Sequence, residues 1–366
     1  MEFIDLKSQY RQHQAAIDAA IARVLEHGRF IMGPEIPELE QGLAEFVGVS
    51  HAITTASGTA SLEIALRALD IGPGDEVITV PFTWISTAEV IAAVGATPVF
   101  IDIEAASFCM DPTLLEAAIT PRTRAIIPVS LFGQMADYDA INAIAQRHNI
   151  PVIEDGAQSL GASRHGHQSN SVTTIGCTSF FPAKPLGCYG DGGALFTNDA
   201  DLAAKMAAIR THGGAQRHNH PYVGLNGRMD TLQAAILLAK LPHYPDEVEA
   251  RQEAGRRYQD LLHAHCATPP LLAGNTSVWA QYTLRVANRE AVAAHLKAEG
   301  IPTAVYYPRC LHQQPAFAHL GYAEDAFPES LRASQEVLSL PMHPYLSAED
   351  QQRIAAALIA AQEAAA

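Results

Sequence analysis

Apolar positions in QAAIDAAIARVLE, residues 14–26, recur at three- and four-residue spacing, which predicts an amphipathic helix near the start of the chain. Glycine and proline punctuate GRFIMGPEIPELE before a second helical segment. From about residue 52 the pattern shifts to short β-rich runs: EVITVPF (76–82), TPVFID (97–102), RAIIPVS (124–130), IPVIED (150–155), IGCTSFF (175–181) and GALFT (193–197). Between the earlier runs lie SLEIALRAL, AEVIAAVG, LLEAAI and DAINAIAQRH, all with helical periodicity. This alternation predicts an α/β fold around a mainly parallel sheet that is buried on both faces. Residues 230–265 read as helical apart from a break at Pro242 and Pro245. WAQYTLRV, REAVAAHLKAEG, IPTAVYY and the final SAEDQQRIAAALIAAQEAAA then read as a smaller α+β unit. The expected division is a large α/β domain over 1–245, including the N-terminal helical segment, and a C-terminal domain over 246–366.

Composition narrows the partners. The 366 residues suffice for about two domains with a full core. With 24 Lys and Arg against 39 Asp and Glu, the formal charge is -15, and no basic run offsets it. Nucleic acid and anionic membrane surfaces are therefore not expected partners. A few arginines gathered in one cleft can still hold a small anion. The cysteines Cys109, Cys177, Cys188, Cys266 and Cys310 are odd in number, scattered and without CxxC spacing, as expected of a reducing cytoplasm. No signal-peptide core or membrane-length apolar run is read in the chain.

Three stretches carry candidate chemistry. In TTASGTASLEIALRAL, residues 54–69, a small-residue turn runs into a helix, where free N–H groups with Ser57 and Thr59 nearby could cradle a phosphate. Most such turns are only caps. In IPVIEDGAQSLGA, residues 150–162, an apolar strand ends on Asp155, at the edge where ligands of open α/β sheets gather, although a lone strand-end acid is often a helix cap. In SFFPAKPLGCYGDGG, residues 179–193, Lys184 lies between Pro182 and Pro185 and ahead of Gly187, Gly190, Gly192 and Gly193. A restrained lysine at the edge of an apolar core can bond a carbonyl covalently, the alternative being a solvated turn lysine. Phosphate cradle, strand-end acid and restrained lysine together are what pyridoxal 5'-phosphate requires: an anchor for its phosphate, a partner for its ring nitrogen and an amine for its aldehyde.

FIDLKSQY, GRFIMGPE, SGTASLEIAL, GPGDEVITVPFTW, VSLFGQMADYDAI, VIEDGAQSLGA, SFFPAKPLGCYGDGGALFTND, GLNGRMDTLQAAIL and SLPMHPYLS span nearly the whole chain. With these landmarks it resembles the sugar-nucleotide aminotransferases of the DegT/DnrJ/EryC1/StrS family. The resemblance implies the aspartate aminotransferase fold (fold type I) and a cofactor that alternates between pyridoxal phosphate and pyridoxamine phosphate. It implies Lys184 as the residue that bonds the aldehyde and shuttles protons, and Asp155 opposite the pyridine nitrogen. Gln158 is expected near the ring hydroxyl, Gly58, Thr59 and Ser179 at the phosphate, and Trp84 stacked on the ring. Asn226 would reach the neighbouring subunit's cofactor in a homodimer with shared active sites.

Family members that aminate C4 commonly carry histidine where this chain has Phe181, so the resemblance implies amination at C3 of a UDP-sugar with L-glutamate as donor. The expected acceptor is UDP-2-acetamido-2-deoxy-3-oxo-D-glucuronate, on a route to O-antigen sugars, with another 3-keto or 4-keto nucleotide sugar as the alternative. Gly28, Phe30, Arg228, Tyr306 and Tyr307 would line the sugar-nucleotide site. Phe30, Ala183 and Tyr306 depart from the tyrosine, serine and histidine usual at those positions.

Other classes fit less well. A dehydratase of the same family has histidine in place of the cofactor lysine, and a non-catalytic regulator needs no lysine, acid and cradle together. His165 and His167, with His212, His218 and His220, lack a carboxylate or cysteine at metal-ligand spacing, so no metal is expected. A mobile loop near an anionic substrate is expected over 211–228, with positive charge from Arg210, Arg217 and Arg228. Glu154 and Asp155 adjoin in a strand and should point to opposite faces, which argues against a pair flanking one bond.

Overall fold

The computed structural model describes residues 1–214, 216 and 218–365. Strands β1 (His51–Thr55), β2 (Glu76–Thr79), β3 (Thr97–Phe100), β4 (Thr123–Ile126) and β5 (Ile153–Asp155) come first. A two-residue ribbon of β6 (Ser163–Arg164) and β7 (His167–Gln168) precedes β8 (Ile175–Ser179) and β9 (Gly193–Thr197). One part of the main sheet is ordered β3-β2-β4 and the other β5-β8-β9-β1, and the parallel bridges Ile126–Val152 and Val129–Asp155 join them. Every pairing is parallel except those of β9 with β8 and β1. Parallel neighbours need a long crossover, usually a helix. No helix lies between Ser179 and Gly193, so the chain returns from β8 directly into an antiparallel β9.

Alternate residues feed opposite faces of the sheet. Val77, Ala125, Ile153, Cys177, Leu195 and Ile53 pack with the helices Gly58–Ala68, Ser86–Ala93 and Ala200–Arg210. On the other side, Ile78, Ile126 and Val152 pack with Tyr138 and Ile141 of the helix Tyr138–Arg147. Ala52, Ala194 and Phe196 pack there with the helices Glu35–Val47 and Thr231–Lys240. Apart from β9, which fills GALFT, the strands are shorter than the apolar runs that predict them. Pro128, which lacks an N–H, ends regular pairing of β4 inside RAIIPVS, whereas Pro98 is tolerated because β3 is an edge strand.

Two elements differ from the pattern. His51–Thr55 forms a strand that the sequence does not announce, because its partner β9 lies far along the chain. The first helix runs over Leu6–His27, starting well before residue 14, and Asp5 caps it by accepting from Ser8 N at 2.9 Å. Near Pro242 the helix Thr231–Lys240 gives way to one tight turn, and the next helix, Tyr244–Leu262, carries Pro245 in its first turn, where a missing N–H costs nothing.

The C-terminal third has its own apolar cluster. It is built on antiparallel β10 (Tyr282–Arg285) and β11 (Val337–Leu340) with the helices Arg289–Ala298 and Ala348–Ala365. The helix Tyr244–Leu262 serves both cores, with Tyr244 and Val248 in one and Ala254, Tyr258 and Leu262 in the other.

Gly193 sits where β1, β9 and β8 align. A Cβ there would lie 2.5 Å from Ser57 C and 2.7 Å from Gly58 N, both of which are backbone. Gly193→Ala is expected to destabilise the protein by about 1–3 kcal/mol, as overpacking does. A urea midpoint equal to that of the parent would contradict this close approach.

Candidate active site

β1, β5 and β8 run the same way, so their carboxyl ends share one edge of the sheet, where ligands of such folds bind. Register aligns Thr55, Gly193 and Ser179 across that edge. Beyond Thr55 the chain enters the helix Gly58–Ala68, whose N-cap Ser57 accepts from Ala60 N at 3.1 Å. Among the described residues the N–H groups of Gly58 and Thr59 have no backbone acceptor, and they form the positive end of the helix dipole. Thr59 Oγ1 and Ser86 Oγ share a 2.7 Å hydrogen bond. A Cβ on Gly58 would come within 2.8 Å of Ser179 Cβ, so the helix N-terminus and Ser179 are immediate neighbours.

Asp155 closes β5 and is buried. Its Oδ2 accepts from Thr87 Oγ1 at 2.7 Å, whereas Oδ1 receives only a 3.3 Å contact from Ala157 N and keeps capacity for a ligand N–H. Burial pushes the carboxyl above its ordinary value, opposed by the hydrogen bonds from Thr87 and Ala157 and by the charge of Lys184. Glu154 looks the other way: its Oε1 accepts from Ser130 and Ser169 hydroxyls at 2.7 Å each, and its Oε2 from Asn170 N at 2.7 Å. The two carboxylates therefore cannot work on one bond.

Lys184 lies in the connection from β8 to β9. Its N–H donates to Phe181 O at 2.8 Å, and Cys188 N–H donates to Phe180 O at 2.8 Å, which coils the segment tightly. Burial lowers the Lys184 amine below the ordinary 10.5, and the Asp155 carboxylate draws it back up. Lysine and acid thus feel each other's charge across the sheet edge.

Gln158 uses both ends of its amide. Oε1 accepts from Phe132 N at 2.8 Å, and Nε2 donates to Tyr307 Oη at 3.2 Å. The Tyr307 ring lies 6.1 Å from those of both Phe82 and Trp84, and Trp84 is itself exposed. Asp155, Gln158, Trp84, Tyr307 and Lys184 thereby gather at one edge with the turn at 57–59. Tyr306 is linked to them through its ring contact with Tyr307.

Gly28 and Phe30 belong to a second locus. Gly28 ends the first helix in a left-handed conformation, and Phe30 O accepts from Thr231 N at 2.9 Å while its ring is exposed. No ring contact joins Phe30 to Tyr306 or Tyr307 among the described residues. Asn226 is exposed; the next residue, Gly227, accepts from Ala56 N at 2.7 Å and so borders the turn at 57–59. Arg228 is half-buried, with an Nε that has no hydrogen-bond partner. Arg210 departs from expectation. It is buried, bonded to Glu40 and to Thr54 O at 2.9 Å, and adds no free charge to the loop. Arg217 lies outside the described residues.

The pattern that defines the DegT/DnrJ/EryC1/StrS aminotransferase family matches residues 11–359. The chain belongs to that family. A curated relative from Pseudomonas aeruginosa, the UDP-2-acetamido-2-deoxy-3-oxo-D-glucuronate aminotransferase, is 54% identical over 98% of this chain and 99% of its own. A DegT/DnrJ/EryC1/StrS aminotransferase from Brucella abortus has a solved structure of TM-score 0.96 at 45% identity, covering 99% of each chain. A Bacillus subtilis structure with bound cofactor PMP has a TM-score of 0.90 at 30% identity, covering 99% of this chain and 83% of that one.

Within this aminotransferase the residue that motif reading missed is Thr87. It is fully buried, and its hydroxyl is the one side-chain donor to Asp155 among the described residues. Its place at the start of a helix after the exposed Trp84 is the only sequence signal. Phe132, whose φ is +59°, is the other: its N–H orients the Gln158 amide.

The charge coupling has a testable sign. In cofactor-stripped protein, the acetylation midpoint of Lys184 by trace acetic anhydride should fall below the ordinary 10.5, and Asp155→Asn should move it lower still. An unchanged or raised midpoint in Asp155→Asn would break the coupling.

Proposed function

We propose that this chain is a pyridoxal-phosphate-dependent aminotransferase that moves the amino group of L-glutamate to the C3 keto carbon of a UDP-sugar. The proposed acceptor is UDP-2-acetamido-2-deoxy-3-oxo-D-glucuronate, in a cytoplasmic step toward O-antigen amino sugars. The observation that carries this reading is one sheet edge holding a buried acid with a spare acceptor, a charge-coupled lysine and an unfilled helix N-terminus, in a chain 54% identical to an enzyme named for that substrate.

The donor set fits the cofactor. A phosphate suits the Gly58 and Thr59 N–H groups with Ser179 beside them. The open Oδ1 of Asp155 suits a protonated ring nitrogen, and the Nε2 of Gln158 suits the ring hydroxyl. When bound, pyridoxal phosphate supplies an aldehyde that takes up the amino group and a ring that accepts the electron pair released at Cα. Asp155, whose Oδ2 accepts from Thr87, would hold the proton on the ring nitrogen. Lys184 Nζ would hold the aldehyde, and as a free amine it would take the proton from the donor's Cα. The same amine would deliver a proton to C3 of the sugar acceptor and thus serve both substrates. Trp84, exposed beside Tyr307, would cover the ring and exclude water. Arg228, half-buried and with a buried Nε that has no hydrogen-bond partner, is assigned to the sugar carboxylate or the pyrophosphate.

A second copy of the chain completes this arrangement. Leu25, Phe30, Ile31 and Met32 form an exposed apolar stretch beside Gly28, of the kind that marks a partner surface. We assign Gly28, Phe30 and Asn226 to the neighbouring subunit's site in a homodimer. The boundary between domains is placed at residues 245/246, at the head of the shared helix. No helix of the described residues is long and apolar enough to cross a membrane.

The test is 2-oxoglutarate release from L-glutamate with a panel of 3-oxo and 4-oxo UDP- and dTDP-sugars. The 3-oxo UDP-uronate should turn over fastest, and a 4-oxo sugar in first place would overturn the C3 assignment. Lys184→Ala should lose about 10²–10⁴-fold or more of the turnover, the range of a positioned acid-base group, together with the borohydride-fixable cofactor. Mixing Lys184→Ala with Asn226→Ala subunits should restore activity through hybrid sites. Verified mixed dimers without recovery would assign Asn226 to its own site.

A further inference from the structure

Lys240 is almost wholly buried at the end of the helix Thr231–Lys240, yet no carboxylate lies within ion-pairing distance of it among the described residues. A buried ammonium needs other compensation. Three groups supply it: Gly187 O at 2.7 Å, Gln9 Oε1 at 2.8 Å, and the face of Tyr189, whose ring centre is 4.1 Å from Nζ. Gly187 and Tyr189 both belong to the connection that carries Lys184. Glu247 stands one step behind, holding Gln9 Nε2 at 2.9 Å and accepting from Tyr345 Oη at 2.5 Å.

The connection is stiff between Phe181 and Gly187. A Cβ on Gly187 would lie 2.5 Å from Pro182 O and 2.8 Å from Phe181 O, and Lys184 N–H already closes onto Phe181 O. Gly187 therefore cannot shift without moving the turn on which Lys184 stands. Gln233 adds a second tether, accepting from Tyr189 N at 2.9 Å. It lies seven residues, two helical turns, before Lys240 on the same helix face. The hydroxyl and amide donors that hold Asp155 and Gln158 do not reach this loop.

We propose that Lys240 is a positioning residue for Lys184: its buried ammonium grips the Gly187 carbonyl and the Tyr189 ring and sets where the Lys184 amine stands. This rests on the reading of Lys184 as the residue that bonds the cofactor's aldehyde. Burial lowers the Lys240 amine to about 8, with Glu247 acting against the shift, as fits a cation held for its contacts with the loop rather than in an ion pair.

Amide hydrogen exchange, followed by mass spectrometry on cofactor-stripped protein, tests it. Lys240→Met should raise exchange in the 181–190 peptide about tenfold while peptides of β5 and of the helix Gly58–Ala68 stay at parent rates; Lys240→Arg should restore protection. If Lys240→Met does not accumulate as folded protein, Lys240→Gln carries the same expectation. In the loaded protein, the pH midpoint of the cofactor's visible absorbance should shift in Lys240→Met and return in Lys240→Arg. Unchanged exchange in 181–190, or a rise shared equally by β5, overturns the proposal. Absence of a borohydride-fixable cofactor on Lys184 in the parent overturns the reading of Lys184 instead, a result the exchange data do not affect.

Discussion

The antiparallel return of β9 decides where the chemistry can sit. A helical crossover after β8 would carry the chain away from the carboxyl edge of the sheet and deliver the next strand in parallel. Here residues 180–192 form no helix, and β9 pairs with both β8 and β1. Lys184 thus stays at the edge where Asp155 ends β5, and Gly193 aligns Ser179 with Thr55, one step from the turn at 57–59. One reversal of strand direction gathers a lysine, the acid that ends β5 and a helix N-terminus that lies more than a hundred residues before the lysine.

Around that edge, electrostatics separates two adjacent carboxylates by their surroundings. Glu154 is saturated by two hydroxyls and a backbone N–H and ties Ser130 to the segment near Asn170. Asp155 keeps one oxygen nearly free and is supported by a single threonine. Burial raises the pKa of both, but only Asp155 has a nearby lysine to compensate it. Glu154 is fully satisfied by the protein, and Asp155 is left with room for a ligand.

The candidate site was legible in the sequence where local punctuation carries it. The prolines and glycines around Lys184, the acid at the end of an apolar strand and the small-residue turn before a helix are local signals, and the structure assembles them at one site. What stayed hidden depends on long-range contacts. His51–Thr55 is a strand because of β9, Arg210 is neutral in effect because Glu40 meets it across 170 positions, and Thr87 matters because the fold turns its hydroxyl onto Asp155. Local periodicity also misplaced ends: the first helix begins at Leu6 because Asp5 caps it, an interaction without an apolar signature.

The helix Tyr244–Leu262 acts as a shaft through both cores. Tyr244 and Val248 anchor one end, while Ala254, Tyr258 and Leu262 anchor the other, and Gly255 lets the Trp279 indole lie against its backbone. A swing of the C-terminal unit would have to bend or break that shaft, at the expense of helix hydrogen bonds and packing at both ends. With no slack joint between the two units among the described residues, admission of a large nucleotide sugar falls to the side chains at the mouth of the site.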